Sequence, residues 1–293
     1  MTGTAIAASS GSWRQLSRYL RADPRSQLAA GILACMIVLV VIGPMLSAYQ
    51  PFEQLDITNM VHQPPNRAHL LGTDAYSRDV LSRVLSGGRV SLAVALSAVF
   101  IETLVGLLWG LTAGLAGNRT DTIMMRCVDA GMSVPRVLLL LALLAAVPHV
   151  PVWLLVLILG VTGWFGIARL VRAEVRTVRS TDFVTAARAL GADTTRVATK
   201  HVLPQVLGPV LVASTLAIGQ VIVLEAGLSW LGIGVQPPQA SWGNIIGDGT
   251  EFIASAPWVS LAPGLCLVLV VLAVSALGDG LRDALAPRQL PTT

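Results

Sequence analysis

The sequence predicts an all-α, polytopic membrane protein with six transmembrane helices. Three observations carry that expectation. Of the 293 residues, 54% are hydrophobic and only 12% are charged, about half the charged share of a soluble domain. The mean hydropathy is +0.71. Six runs, at 28–46, 90–115, 132–147, 152–171, 206–226 and 259–277, approach the roughly 20 apolar residues needed to cross about 30 Å of hydrocarbon. The cysteines, Cys35, Cys127 and Cys266, show no metal-type spacing and give no disulfide framework. The opening MTGTAIAASSGSW lacks a basic start followed by an apolar run and a cleavage site, so a removable signal peptide is not expected.

The elements follow in order. Residues 1–27 form a basic N-terminal region. Within it, SWRQLSRYLRADPRSQL places Trp13, Leu16, Tyr19 and Leu20 on one helical face, with Arg14, Arg18 and Arg21 elsewhere. That pattern suits an interfacial helix lying on membrane lipid. Residues 28–48 supply the first span. Residues 49–86 form a polar external loop, in which 79–86 is expected to be a short amphipathic helix and Gly87-Gly88 the turn into span two. Spans three and four are separated only by PHVP (148–151), a tight hairpin with two prolines.

Orientation follows from the basic residues. With the N-terminus inside, all of the 20 Lys and Arg residues except Arg67, Arg78, Arg83 and Arg89 fall in inside segments. Such an excess marks the cytoplasmic side, so both termini are expected there, with 279–293 as a cytoplasmic tail.

The stretch TAARALGADTTRVATKHVLP (185–204) is a polar, basic insertion between spans four and five. Ser180, Thr181 and Asp182 offer N-cap side chains for a helix over 183–190. Gly191 suits the left-handed residue that closes it. Asp193 is placed to cap a second helix, 194–202, which Pro204 ends as span five begins. A helix-turn-helix that reads DNA needs a recognition helix free to enter a groove; tethering to spans on both sides argues against it, and nucleic acid is not an expected partner. Alanines at 186, 187 and 189 leave the first helix thin enough for another surface to approach closely. An ordinary solvated loop is the plainer alternative.

This stretch resembles the EAA loop of ABC-importer permeases. The family pattern is Glu-Ala-Ala, three residues, Gly, nine residues, then a hydrophobic position shortly before Leu-Pro. Here Thr185-Ala186-Ala187, Gly191 and Leu203-Pro204 match. Thr185 replaces the usual Glu. His201 stands where Ile is common, and Lys200-His201 fits the Arg/Lys-His pair of the peptide-importing subfamily. Further motifs extend the resemblance over about residues 30–288. HLLGTDAYSRDVLSRVLSGGRVSL looks like the family's LGTD-x-x-GRDVLSR segment, with Ser77 in place of Gly. FVTAARALGA, EAGLSWLGIGVQPPQASWG and LGDGLRDALAPR look like the C-type subunit of the dipeptide/oligopeptide/nickel permeases, with Ala286 replacing an Asp.

The resemblance implies a type I ABC-importer permease fold with a core over 87–278 and a coupling loop over 172–205. It implies a subunit of an ATP-driven importer of short peptides; the same scaffold importing nickel or haem is the alternative, and a stand-alone channel or ion-coupled carrier the rival from another class. The implied partners are a homologous B-type permease subunit, two ABC ATPase subunits and an extracytoplasmic substrate-binding protein. Phe183, Thr185, Ala186, Ala187, Arg188, Gly191, Arg196, His201, Leu203 and Pro204 would then couple to the ATPases. The chain carries no G-x-x-x-x-G-K-[ST] phosphate loop, so ATP and Mg are expected on the partner ATPases, with no cofactor on this chain and no enzyme activity.

Ionisable residues within spans are costly and often functional. Glu102 falls in the middle of span two and Glu225 near the end of span five; with Trp230 and Trp242 they are the candidates for the pathway or outer gate. Arg169 and Arg172 are expected to snorkel to the inner interface. Arg126 and Asp129 are expected in an inside loop, paired structurally. His62 and His69 lack further ligands nearby in sequence, so no metal site is expected.

Overall fold

The computed structural model describes residues 23–285. The expected interfacial helix around Trp13, Leu16, Tyr19 and Leu20, and the tail positions Ala286 and Arg288, lie outside the described residues.

Helix α1 (Pro24–Leu46) starts at Asp23, whose carboxylate accepts from the backbone N–H groups of Arg25 and Ser26, with Pro24 in the first turn. A proline there forfeits only an N–H that has no helical partner. Ile37, Val38, Leu39, Val41 and Ile42 are exposed. Such an apolar exterior suits lipid rather than water, where a patch of this kind is uncommon.

The polar segment that follows is held by backbone and side-chain hydrogen bonds around one isolated antiparallel bridge, Thr73 with Asp79. Ser77, the position where the resembling family carries glycine, adopts φ +60°. This is the left-handed region that an L-residue occupies at a cost. Ser77 is fully buried, and its Oγ accepts from the backbone N–H of Asp56 at 3.0 Å.

Helix α2 runs unbroken over Val80–Leu115. The expected short helix, glycine turn and second span are one 36-residue rod, about 54 Å long. Gly87 and Gly88 do not turn the chain; they let neighbours in. A Cβ at Gly87 would stand 3.1 Å from the Ser241 carbonyl carbon, and one at Gly88 2.8 Å from the Trp242 ring. Asp79 caps the rod by accepting from the Ser82 N–H at 2.8 Å.

Two spans are broken. Helices α3 (Asn118–Met132) and α4 (Arg136–Ala145) meet at 75°. Pro135 lies at the break; it has no N–H to donate and disfavours helical geometry at the residue before it. The expected loop containing Arg119, Arg126 and Asp129 is therefore the amphipathic helix α3. Helices α5 (Val152–Gly163) and α6 (Phe165–Arg179) meet at 41°, and α6 carries the fourth span eight residues past the expected end at 171.

Helix α7 (Asp182–Ala189) leads through Gly191 to α8 (Thr194–Val197), a π-helical turn (Ala198–Val202) and α9 (Leu203–Trp230). The expectation that Pro204 ends a helix is corrected: the π-helical turn continues directly into α9. The Leu203 N–H bonds back to the Ala198 carbonyl, five residues away, and this wide turn admits the proline ring without a break. Helices α10 (Trp242–Thr250) and α11 (Pro257–Leu285) complete the chain.

Among the described residues four helical stretches are long and apolar enough to cross a membrane, and taking each bent pair as one span gives six. The rod α2 lies at the centre, packed on α1, α5, α6, α9 and α10. Its seam with α6 is set by Gly106, Gly110 and Gly114, four residues apart. A Cβ at these positions would stand 2.8 Å from Ile167, 2.5 Å from Val171 and 2.6 Å from Val175 respectively. Small residues at this spacing bring two helix backbones close, the main source of helix association in lipid. Three apolar clusters are seen among the described residues. The largest gathers Val94, Leu140, Leu155, Ile222, Trp242 and their neighbours; a valine-rich cluster lies beneath α7 and α8; and a small one joins Val128, Trp164 and Ala168 between α3 and α6.

Candidate functional site

The candidate coupling element is the α7–Gly191–α8 hairpin. Val184, Val197 and Val202 are fully buried against Val171, Val175 and Val206. They fasten the hairpin to α6 and α9 while its other face stays open. At its start, Thr181 does not cap α7 as expected: the side chain makes no cap hydrogen bond, and its Oγ1 donates to the Val178 carbonyl at 2.6 Å, extending the last turn of α6. At its close, Gly191 has φ +89°. The Ala192 N–H donates to the Ala187 carbonyl at 3.0 Å and the Gly191 N–H to Arg188 at 2.9 Å, the crossed pair of a Schellman motif. Asp193 caps α8 by accepting from the Arg196 N–H at 3.0 Å.

The predicted coupling residues divide between the two faces. Thr185, Ala186, Arg188 and Arg196 are exposed, while Phe183, Ala187, His201 and Leu203 are half-buried. The rings of Phe183 and His201 lie 6.2 Å apart and tie α7 to the π-helical turn. Thr185 Oγ1 donates to the Thr181 carbonyl at 3.2 Å, so the residue in place of the family's Glu is turned onto its own helix. Leu190, a residue not singled out from the sequence, is 90% exposed beside Gly191. It is a large apolar side chain at the hairpin tip, with the small faces of Ala186 and Ala189 alongside.

A layer of arginines lies just above the hairpin. Arg172 makes a bidentate pair with Asp121 of α3, at 2.9 and 2.6 Å, and Arg176 reaches the same carboxylate at 3.3 Å. Arg169 pairs with Asp129 at 2.6 Å. Arg169 and Arg172, expected from the sequence to reach the interface, are held by partners on α3. So is the pairing expected within 126–129, because Asp129 reaches across to α6. Arg179 donates to three carbonyls, of Gly114, Leu115 and Ala116, at 3.2–3.3 Å. These are orphan acceptors at the end of α2. Sequence reasoning passed over this role. The signal was available, since Arg172, Arg176 and Arg179 recur at the spacing of one helical face.

The gate candidates behave differently. Trp242 is fully buried; its ring N–H donates to the Val84 carbonyl at 3.0 Å and its backbone N–H to Ser91 Oγ at 3.2 Å. Glu225 is also fully buried and accepts from Ser229 Oγ at 2.7 Å. Neither lines an open surface of this chain: they pack α9 and α10 against α2. Trp230 is half exposed, with its ring N–H on Thr250. Glu102 pairs with Arg136 at 3.3 Å, and the same guanidinium donates to the Leu159 carbonyl at 2.8 Å. Arg136 was grouped with the inside basic residues; it is instead turned into the bundle where both broken spans bend. A cavity of about 230 Å³ adjoins it, lined by Gly131, Pro135, Thr162 and Phe165 among others.

On the opposite end, Asp248 of α10 accepts from both Arg78 and Arg83 at 3.0 Å. Both arginines also pair with buried Asp74, at 2.7 and 2.5 Å. The polar loop is thus bolted onto α10 and the start of α2. His69 bonds to Asp79 at 3.0 Å and stacks near Tyr49, while His62 stacks on Phe252. Among the described residues no group of three or more His, Cys, Asp or Glu is placed to hold a metal ion.

A helical bundle of up to six spans with a tethered, one-face-open hairpin between the fourth and fifth defines a polytopic membrane protein. Residues 106–290 match the family described as binding-protein-dependent transport system inner membrane component, and residues 11–65 match the N-terminal membrane domain of oligopeptide transport permease C. The oligopeptide transport system permease protein OppC of Bacillus subtilis (strain 168) is 34% identical over 278 residues, covering 94% of this chain and 90% of that relative. A protein of Brucella suis biovar 1 named as a peptide permease is 38% identical over 289 residues, covering 98% and 94%. The chain belongs to the family of binding-protein-dependent transport system inner membrane components.

Proposed function

We propose that this chain is a permease subunit of an ATP-driven importer of short peptides in a bacterial cytoplasmic membrane, with its coupling hairpin and both termini on the cytoplasmic side. The relatives are named for oligopeptide or peptide transport, and the basic excess of the inside segments supports the orientation. The coupling is to partner ATPases that hold ATP and Mg; a B-type permease subunit and an extracytoplasmic binding protein complete the assembly.

The observation that carries the reading is the division of the hairpin into a valine face locked to α6 and α9 and an open face of Ala186, Ala189 and Leu190. An element with no tie to the bundle would not transmit force, and a fully covered one would meet no partner. Closure of two ATPases on ATP displaces α7, and the attached spans follow, exchanging outward and inward access. Thr185 supplies no charge toward the ATPase, so the contact rests on shape, on Leu190 and on Arg188.

A cysteine at Ala186, in the assembled transporter with the native cysteines replaced, tests this. Crosslinking to an ATPase subunit is expected; capture of none in a complex that still transports would overturn the reading. Selectivity among dipeptides, longer peptides, nickel chelates and haem is tested by binding to the purified receptor protein.

A further inference from the structure

We infer that Arg179 is a positioning residue for coupling, the joint through which the hairpin moves the central rod α2 as well as its own span. The inference rests on the coupling role proposed above. Arg179 is the last residue of α6, three residues before α7 begins. Its Nη1 alone donates to the carbonyls of Gly114, Leu115 and Ala116 at the end of α2. The end of a helix carries partial negative charge, which an always-charged donor complements. Above it, α2 and α6 are in close backbone contact along the Gly106, Gly110 and Gly114 seam, and close-packed contacts transmit strain.

Displacement of α7 therefore has two routes. One is the chain itself, through α6 and α9. The other is Arg179 into α2, whose far end carries Asp79 and Arg83, hence Asp74 and Asp248 of the opposite face. A push at the hairpin arrives at the external cap along one unbroken helix. Without Arg179, α7 stays attached to α6 but loses its fixed seat against the rod.

The test uses the assembled transporter in proteoliposomes, comparing wild type with Arg179→Met and Arg179→Lys. Peptide taken up per ATP hydrolysed is measured, together with the Ala186 crosslink to the ATPase and the melting temperature of the complex. Arg179→Met is expected to keep the crosslink and lower the transport-to-hydrolysis ratio about fivefold or more, within the usual range of site-to-site coupling. Arg179→Lys, which keeps the charge on a more strongly hydrated ammonium, should fall between. A ratio in Arg179→Met within twofold of wild type, with the crosslink intact, overturns the inference alone; loss of the crosslink in wild type overturns the coupling reading beneath it.

If Arg179→Met does not assemble, spin labels at Thr112 and Thr177 of an otherwise wild-type complex provide the second measurement. Both positions are exposed in this chain. Their separation should stay constant between nucleotide-free and ATP-bound states. A change of more than about 2 Å, the scale of an ordinary helix shift, means that α2 and α6 move apart and refutes the joint.

Discussion

Replacing Gly191 isolates backbone geometry from packing. The residue has φ +89°, and a Cβ built on it would find no atom within 4 Å. A side chain has ample space, so any effect comes from the left-handed backbone. An L-residue there costs roughly 1–2 kcal/mol, with a β-branched one toward the upper end or beyond it. Helix α7 has eight residues, too short to be stable alone; its seat depends on Val184, the Phe183–His201 contact and the closing turn. A penalty of that size changes the seated-to-unseated ratio of the hairpin by a factor of about 5–30. Gly191→Val should therefore reduce peptide transport per ATP by up to that factor, while Gly191→Asn, whose side chain tolerates left-handed geometry, should stay near wild type. The assay is parallel measurement of uptake and ATP hydrolysis in proteoliposomes. A Gly191→Val transporter with unchanged coupling would show that the bend does not position the docking surface.

Three further outcomes follow from the geometry. Gly110→Leu on α2 places a Cβ 2.5 Å from Val171 and 2.6 Å from the Ala168 carbonyl; overpacking of this kind costs about 1–3 kcal/mol, and an unchanged melting temperature in detergent would contradict the seam. Asp74→Asn strips Arg83 and Arg78 of a buried carboxylate and should cost about 3 kcal/mol, whereas Asp248→Asn, one-third exposed, should chiefly speed hydrogen exchange across 72–83; equal effects from both would argue against the assigned burial. Hydrogen bonds from the Asn59 side chain, then from the Thr58 and Asn59 backbone N–H groups, hold the Asp56 carboxyl below its ordinary value. A depressed carboxylate stabilises above its unfolded pKa and loses that contribution as pH falls through the folded value, so amide protection at Thr58 and Asn59 should be flat down to about pH 4 and decline below it; loss near neutrality would refute the turn.

Hydropathy made the six spans legible, because the bilayer demands about 20 apolar residues whatever the tertiary fold. Gly191 and Asp193 were equally legible, since a left-handed closing residue and an N-cap are requirements of a few local atoms. What escaped was non-local. Gly87 and Gly88 resemble a turn until Ser241 and Trp242, more than 150 positions away, are seen occupying the space where side chains would be. Pro204 resembles a stop until the wide turn before it is known. The partners of Arg169 and Arg172 are invisible until Asp121 and Asp129 are placed across from them, and the burial of Trp242 and Glu225 depends on helices distant in the chain. The Gly106, Gly110 and Gly114 repeat was readable and went unread, hidden inside a run notable only for its hydropathy.

The π-helical turn at Ala198–Val202 holds one residue more than a regular helix would need, and each residue of an α-helix advances the chain by about 100° of azimuth. That surplus residue sets the compass bearing of everything before it relative to α9. Deleting any one of the five would let the two segments fuse into a uniform helix, swinging Val197 out of the valine cluster and pointing the hairpin tip to a different quarter of the membrane plane. The heading of the hairpin is thus a matter of counting: the same side chains, minus one, would face elsewhere.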